Sequence, residues 1–342
     1  MRRRIRNLML AAVLVGTGCA DGRTPVLLYS PHGREQLDLL ERAFEAKHPE
    51  IDIRWLDMGS QEILDRIRSE RANPQADVWF GGPSSIFDRA VGEQLLSPYR
   101  PVWADAVGPN GIGPDELYWP AYRTPAVIAF NSAAITREQA PKDWDEVLAP
   151  EWRDKVLIRD PMASGTMRAI WGLILTRSIE ATGDTAAGMS WLRRLDGQTK
   201  AYALNPAILM ERLARQEGLI TLWDLGDVLS DRAAGVAIDY VFPRSGTVVI
   251  DDPIALVKGS RQPEAAKLFI DFVGSVEGQL LAARHVFRLP ARSDLPVDSV
   301  PAWVAQVETE MVTAPMDWAL LVREGAGWMR HWDQHVRGTG RR

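Results

Sequence analysis

Residues 26–85 read VLLYSPHGREQLDLLERAFEAKHPEIDIRWLDMGSQEILDRIRSERANPQADVWFGGPSS, and they set the expected architecture. Three short apolar runs, at residues 26–29, 51–55 and 77–80, alternate with two longer segments that carry apolar residues at helical spacing. This order and spacing are typical of right-handed β-α-β crossovers. The segment therefore predicts a parallel sheet covered by helices.

The predicted parallel strands also indicate where a ligand binds. In open α/β sheets, ligands lie outside the carboxyl ends of the strands. The residues expected at that edge are 30–34, 58–60 and 81–85.

A second α/β pattern follows from residue 126, without an internal repeat or a low-complexity linker between the two patterns. We therefore expect an α/β protein of two lobes, each a mainly parallel sheet covered by helices, joined by crossover strands around a ligand cleft. Residues 25–127 are predicted to form the first part of lobe 1, and residues 128–246 lobe 2. Residues 247–342 are predicted to return to lobe 1 and to add C-terminal helices.

The composition excludes several classes of protein. A chain of 342 residues with 46% hydrophobic side chains is long enough for substantial cores. Its formal net charge is −5, which argues against a nucleic-acid binder because such proteins usually present a basic surface. The single cysteine, Cys19, excludes an internal disulfide and a thiolate zinc site.

The first twenty residues have the layout of an export signal. Four arginines among residues 2–6 precede the apolar run at residues 8–15, and small residues follow directly before Cys19. The run is too short to span a bilayer as a helix. Residues 1–18 are therefore predicted to be a signal peptide. The end of this segment resembles a bacterial lipobox, which implies lipidation of Cys19, whereas cleavage after Ala20 is the alternative.

The chain resembles a known family over most of residues 26–290. It is similar to the substrate-binding components of ABC importers, in the family 1 group of extracellular solute-binding proteins that includes ferric-iron and organophosphate binders. The matching stretches occur in the family's order: residues 29–32 (YSPH), 43–45 (AFE), 73–82 (NPQADVWFGG), 95–99 (LLSPY), 144–148 (WDEVL), 150–152 (PEW), 160–166 (DPMASGT), 240–243 (YVFP), 245–247 (SGT), 255–259 (ALVKG) and 265–272 (AAKLFIDF).

This resemblance implies a periplasmic-binding-protein fold whose two lobes close on a ligand. It implies a periplasmic protein without a cofactor, monomeric, and held at the membrane only by an N-terminal lipid anchor. Its partners are expected to be a small anionic solute, a membrane permease and the ATPase subunit that drives it. The solute is expected to be a sugar phosphate, a phosphonate, phosphate or ferric iron.

Loops that enter helices supply the predicted ligand donors, because free backbone N–H groups and hydroxyls there suit an anion. Arginine adds a planar fork that fits phosphate. The candidates on these loops are Ser30, His32, Arg34, Ser60, Gly81, Gly82, Ser164, Gly165, Thr166 and Arg168. Alternatively, Ser30, Ser60 and Thr166 are only helix caps, and the two neighbouring glycines form a simple turn.

The iron-binding relatives typically use an adjacent pair of tyrosines, which this sequence lacks. The comparable stretch, residues 222–227 (LWDLGD), offers Trp223 and Asp224, which resemble the stacking face and hydroxyl acceptor of sugar-phosphate binders. Tyr240 is a further candidate. If iron is the cargo, the expected ligands are His32, Asp224, Asp227 and Tyr240. Alternatively, Trp223 packs in the core and the two aspartates cap the next helix.

No sequence motif points to catalysis. The chain has neither a GxSxG nucleophile elbow nor a GxxxxGK[ST] phosphate loop. His331 and His335 have the spacing of a zinc pair, but Trp332 occupies the place of the protease glutamate. We therefore expect a binding protein without catalytic residues or a resident metal.

Overall fold

The computed structural model describes residues 22–109 and 111–340. The predictions about the signal peptide and Cys19 lie outside these residues. Within them, none of the helices combines the length and apolar character needed to cross a membrane.

The helices and strands alternate along most of the chain. In order they are β1 (Thr24–Ser30), α1 (Arg34–Glu45), β2 (Ile51–Asp57), α2 (Ser60–Ser69), β3 (Val78–Phe80), α3 (Ser84–Gly92), β4 (Leu96–Ser97), β5 (Trp119–Asn131), β6 (Val156–Arg159), α4 (Gly165–Thr182), α5 (Ala186–Gln198), β7 (Thr199–Ala203), α6 (Pro206–Ala214), β8 (Ile220–Asp224), α7 (Leu225–Ala233), β9 (Ile238–Val241), β10 (Val249–Val257), α8 (Pro263–Val273), α9 (Val276–His285), β11 (Leu289–Pro290), α10 (Ala302–Glu310) and α11 (Trp318–His335).

The sheet of lobe 1 has the strand order β2-β1-β3-β10. Strand β1 pairs in parallel with β2 and β3, whereas β10 is antiparallel to β3. Helix α1 covers this sheet because Leu37, Leu40 and Phe44 recur on one face and are buried. The predicted β-α-β-α-β arrangement is confirmed.

Lobe 2 continues from β5 in the order β5-β8-β6-β7, with β6 parallel to both of its neighbours. Its central helix, α4, has buried residues on all sides, because it lies between the sheet and the C-terminal helix α11. Trp171 of α4 meets Trp332 of α11 edge to face, with 6.1 Å between ring centroids. Thus α10 and α11 pack on the core of lobe 2, while α8 and α9 pack in lobe 1.

Two long strands connect the lobes. The first half of β5 pairs with β10, and its second half, from Ala126, pairs with β8 and β9. The register of β10 against β5 shifts between Asp252 and Pro253. The expected fold, two mainly parallel α/β lobes joined by crossover strands, is confirmed, whereas the lobe boundaries in residue numbers stay a prediction.

Candidate functional site

A cleft of about 820 Å³ lies between the lobes. The amino-terminal ends of α1 and α2 border it from lobe 1, and those of α4, α6 and α7 border it from lobe 2. The first turn of each such helix contains N–H groups without an intrahelical acceptor and lies at the positive end of the helix dipole. The predicted ligand edge is therefore part of the cleft.

Most of the predicted ligand-binding residues line this cleft, and four do not. The lining includes His32, Arg34, Ser60, Gly82, Ser164, Gly165, Thr166, Trp223, Asp224 and Asp227. The four that are absent from the lining are Ser30, Gly81, Arg168 and Tyr240.

Ser30 and Gly81 support the cleft from behind. The Ser30 hydroxyl oxygen accepts a hydrogen bond of 3.1 Å from the backbone N–H of His32. Gly81 has φ +98° and lies against the His32 ring, so that a Cβ atom there would be 2.4 Å from Nε2. Both residues therefore position His32.

Arg168 and Tyr240 point elsewhere. The Arg168 guanidinium donates to the carbonyls of Pro161 and Met162, and thus braces the loop that precedes α4. Tyr240 lies between two guanidinium groups, those of Arg137 and Arg232, at 5.5 and 5.6 Å from its ring centroid.

The side chains of Ser30, Ser60 and Thr166, the alternative helix caps considered above, do not cap a helix. Gly33 and Gly59 occupy the N-cap positions of α1 and α2. Ser164 caps α4, because its hydroxyl accepts from the N–H of Met167. The alternative interpretation is confirmed for Asp224, which caps α7 by accepting from the N–H of Asp227 at 3.0 Å.

The two lobes are in contact where Gly165 of α4 packs against the first residue of α2. A Cβ atom on Gly165 would lie 2.3 Å from the Ser60 hydroxyl and 2.4 Å from Pro83. Only a glycine allows this close approach of the lobes.

Arg159, which the sequence reasoning missed, lies at the carboxyl end of β6 and lines the cleft. It is 4% exposed, and among the described residues its guanidinium donates only to the backbone carbonyls of Ala203 and Asp160. It forms no ion pair with a described carboxylate; burial lowers its pKa, and the charges of Glu62, Asp160 and Asp57 oppose this shift. The general rule that ligands gather at carboxyl strand ends was the signal that could have found it.

Arg288, also missed, joins the lobes at the floor of the cleft. It follows α9 of lobe 1 and donates to Gln36 Oε1 at 2.7 Å. From lobe 2, Asp224 and Asp227 accept from it at 3.4 and 3.2 Å. Burial raises the pKa of Asp224, which the neighbouring Asp227 reinforces and the Arg288 guanidinium opposes. No local sequence pattern signals this contact, because its members are distant along the chain.

Three other carboxylates of the cleft lining, those of Asp57, Asp231 and Asp252, form no ion pair with a described residue. Partial desolvation, with the charge of Asp227 nearby, raises the pKa of Asp57 and of Asp231 to about 6. Asp252 is buried, and its carboxylate accepts from the Gly82 N–H at 3.0 Å and from the Thr124 hydroxyl. Burial raises its pKa to about 6 as well.

His32 is buried against Phe80, with 4.6 Å between ring centroids. Burial, and then the charge of Arg288, hold its pKa well below the usual range, so the ring is neutral at pH 7. No group of three or more His, Cys, Asp and Glu residues within 22–109 and 111–340 is arranged to hold a metal ion.

Two α/β lobes joined by crossing strands, with helix amino termini converging on the cleft between them, define a two-lobed solute-binding protein. The chain belongs to the bacterial extracellular solute-binding protein family, whose pattern its residues 73–313 match. The resemblance found in the sequence is thereby confirmed.

Two relatives illustrate the range of the family. The chain is 28% identical to the probable ABC transporter periplasmic-binding protein y4fP of Sinorhizobium fredii, over 96% of this chain and 90% of that protein. It is 26% identical to a putative 2-aminoethylphosphonate-binding periplasmic protein of Salmonella typhimurium, over 72% of this chain and 71% of that protein.

Two solved structures share the fold. The periplasmic binding protein AfuA of Actinobacillus pleuropneumoniae, with fructose-6-phosphate bound, superposes with a TM-score of 0.81 at 21% identity, over 92% of this chain and 99% of that chain. Iron-bound HitA of Pseudomonas aeruginosa gives 0.74 at 19% identity, over 90% and 98%.

Proposed function

We propose that this protein is the periplasmic solute-binding component of an ABC importer and captures a small solute bearing a phosphate or phosphonate group. It delivers this solute to a membrane permease driven by an ATPase subunit. It is a monomer without catalytic activity, exported by residues 1–18 and anchored through a lipid on Cys19. The family membership and the named function of y4fP support the transport role.

The main support for an anionic ligand is Arg159. A buried guanidinium that forms no ion pair is costly. The charges of Glu62, Asp160 and Asp57 act on Arg159 without an ion pair, and an anionic ligand would make the direct contact. Phosphate and phosphonate oxygens match the planar fork of arginine in bidentate fashion. The carbonyls that Arg159 already contacts hold the side chain without neutralising it.

The helix amino termini strengthen this assignment because they come from both lobes. Those of α1 and α2 in lobe 1 and of α4 in lobe 2 present backbone N–H groups to the same space. An anion bound there contacts both lobes at once and therefore favours the closed arrangement over the open one.

Ferric iron is the alternative cargo, and HitA binds iron on the same fold. The four ligands expected for iron do not meet in this structure, because Tyr240 is outside the cleft lining that holds His32, Asp224 and Asp227. Among these three, Asp224 and Asp227 are already engaged by Arg288. A phosphorylated or phosphonate solute therefore agrees better with the geometry.

Thermal unfolding and calorimetric titration of the ligand-free protein test the proposal. The panel contains sugar phosphates, phosphonates, inorganic phosphate and ferric citrate. A solute at 100 times its Kd stabilises the protein by about 2.7 kcal/mol. Arg159→Gln removes charge-assisted hydrogen bonds of about 1.5–3 kcal/mol and should weaken binding by about 10- to 100-fold.

Arg244→Gln is the matched control, because Arg244 is exposed and outside the cleft lining. Its affinity should equal that of the unmodified protein. Stabilisation by ferric citrate alone, or an undiminished affinity of the Arg159→Gln variant for the phosphorylated solute, would contradict the proposal.

A further inference from the structure

We infer that the transported solute joins its phosphate or phosphonate to a hydrocarbon group, and that the side of α6 facing the cleft binds this group. The inference rests on the proposed function, because it assumes that the anionic group binds at Arg159. It narrows the substrate class to phosphate esters and phosphonates with an alkyl or aromatic substituent.

Helix α6 presents apolar residues to the cleft. Pro206, Met210 and Ala214 recur at intervals of four residues and all line the cleft, so they follow one side of the helix over about 12 Å. Together with Leu204, Ala207 and Val236, which line the cleft as well, they form the α6 face.

Hydrogen bonds hold both ends of the α6 face. Asn205 Oδ1 accepts from the Ile208 N–H and caps the helix, which leaves the preceding residue, Leu204, outside it. At the other end, the Asn131 side chain donates to the carbonyls of residues 213 and 214 at 2.9 and 3.1 Å. Strand residue Asn131 also pairs with Ile238, two positions after Val236. The end of α6 is thereby tied to the segment that contains Val236.

The core of lobe 2 does not account for the α6 face. Helix α6 packs on β5, β6 and β7, and its core residues are Leu209 and Leu213, both fully buried. A helix at the surface of a globular protein is usually polar away from its core side, whereas α6 is apolar toward the cleft as well. Leu204 is 75% exposed there. Continuous apolar surface of this kind marks a binding site more often than a single exposed side chain does.

The α6 face begins where the anionic group is proposed to bind. The Arg159 guanidinium donates to the carbonyl of Ala203 at 3.3 Å, and Leu204 is the next residue along the chain. Arg159 and Ala203 are also register partners at the ends of β6 and β7. A substituent on an anion at Arg159 therefore adjoins Leu204 and extends along α6.

The size of the cleft leaves room for such a substituent. Its volume of about 820 Å³ is in the range of sites that hold drug-sized ligands, which is more than a phosphate group alone requires. From lobe 1, Pro31 and Met58 add apolar atoms to the lining, and the flexible thioether of methionine adapts to different shapes. Closure on a hydrocarbon group would remove it from water, which favours the closed state.

The polar groups that α6 brings to the cleft already have partners. Glu211 lines the cleft, and its carboxylate is paired with Arg215 at 2.7 Å. The Asn205 side-chain oxygen is engaged by the helix cap. These groups therefore do not require a polar substituent on the solute.

Calorimetric titration with solutes that differ in their substituent tests the inference. Butylphosphonate is compared with methylphosphonate, and phenyl phosphate with glycerol 3-phosphate, which is polar. Each buried methylene group increases the affinity about fourfold. We expect the apolar member of at least one pair, butylphosphonate or phenyl phosphate, to bind about tenfold or more tightly than its partner. A preference in the first pair alone identifies an alkyl group, and in the second alone an aromatic group.

Two substitutions assign the preference to the α6 face. Leu204→Ser and Val236→Thr should each reduce the preference by about threefold or more, and leave the affinity for the polar or smaller member within about twofold. The Tm of each ligand-free variant verifies that the fold is intact. Val297→Thr is the control, because Val297 is 87% exposed but outside the cleft lining, and it should change neither affinity.

Equal affinity for both members of each pair would overturn the inference and leave the proposed function intact. An equal loss of affinity for both members in the two variants would also overturn it, because the α6 face would then contact lobe 1 rather than the solute. A preference that survives both substitutions would refute the assigned residues. Binding of ferric citrate and of none of the four phosphorus compounds would refute the proposed function itself.

Discussion

Replacing Arg288 by methionine should strongly destabilise the protein. Methionine keeps the length of the side chain but removes the guanidinium, whose side chain is only 8% exposed. The loss leaves Asp224 and Asp227 without their cation, and leaves Gln36 without its donor at 2.7 Å. Because these partners lie in both lobes, the substitution also removes a polar contact across the cleft floor.

The expected magnitude follows from the burial of the pair. Removing one partner of a buried ion pair costs about 3–5 kcal/mol, because the remaining charge stays desolvated. Divided by the unfolding entropy typical of a chain of this length, this loss of free energy corresponds to a decrease in Tm of about 4 to 7 °C. Arg284→Met is the control, because Arg284 lies one turn earlier, in α9, but is exposed and donates to the Ser299 carbonyl.

Urea unfolding at pH 7.5 and at pH 5.5 measures the free energy of unfolding. The loss of unfolding free energy in the Arg288→Met variant should be smaller at pH 5.5, because protonation removes the uncompensated charge from the aspartates. Adding Asp224→Asn and Asp227→Asn to the variant should restore a large part of the stability. A loss below about 1 kcal/mol, or an equal loss at both pH values, would refute the reasoning.

Three further outcomes are expected. Gly165→Ala should lower solute affinity at least tenfold with little change in the Tm of the ligand-free protein, because a Cβ atom there blocks contact between the lobes; an unchanged affinity in calorimetry would contradict this. The pKa values of Asp57 and Asp231 are raised to about 6, so the folded state binds protons more readily than the unfolded state, and the free energy of unfolding gains a contribution as the pH falls from 7.5 to 5.5. The double variant Asp57→Asn, Asp231→Asn should lack this contribution in urea titrations at the two pH values, while the lowered pKa of His32 acts with the opposite sign in both proteins and cancels. Tyr240→Phe should leave solute affinity within twofold in the same calorimetric assay, because Tyr240 is outside the cleft, whereas an iron site containing this phenol would be lost.

The secondary structure of lobe 1 was predictable because its periodicity is local. Leu37, Leu40 and Phe44 indicate a helix, and the alternation of Ile51 and Ile53 indicates a strand, before any tertiary contact is considered. Strand β10 is continuous from Val249 to Val257, although its register against β5 shifts between Asp252 and Pro253.

The candidate site was predictable where it consists of helix starts. The loops at the beginnings of α1, α2 and α4 were expected at the ligand edge and line the cleft. Arg168 was expected to touch ligand because it follows the Ser164–Thr166 loop, yet its side chain turns back onto that loop. Sequence proximity to a donor loop does not determine the direction in which a long side chain points.

The sequence by itself determined the class of fold, the family and the loops that face the ligand, because these depend on local periodicity and on short ordered motifs. The tertiary structure alone decided which charges meet. Arg288 contacts Asp224 from 64 positions away along the chain, and the charge of Asp227 in lobe 2 acts on Asp57 in lobe 1. Coulomb interactions and desolvation depend on distances in space. The spacing of residues along the chain does not determine these distances, because they arise only when β5 and β10 bring the lobes together.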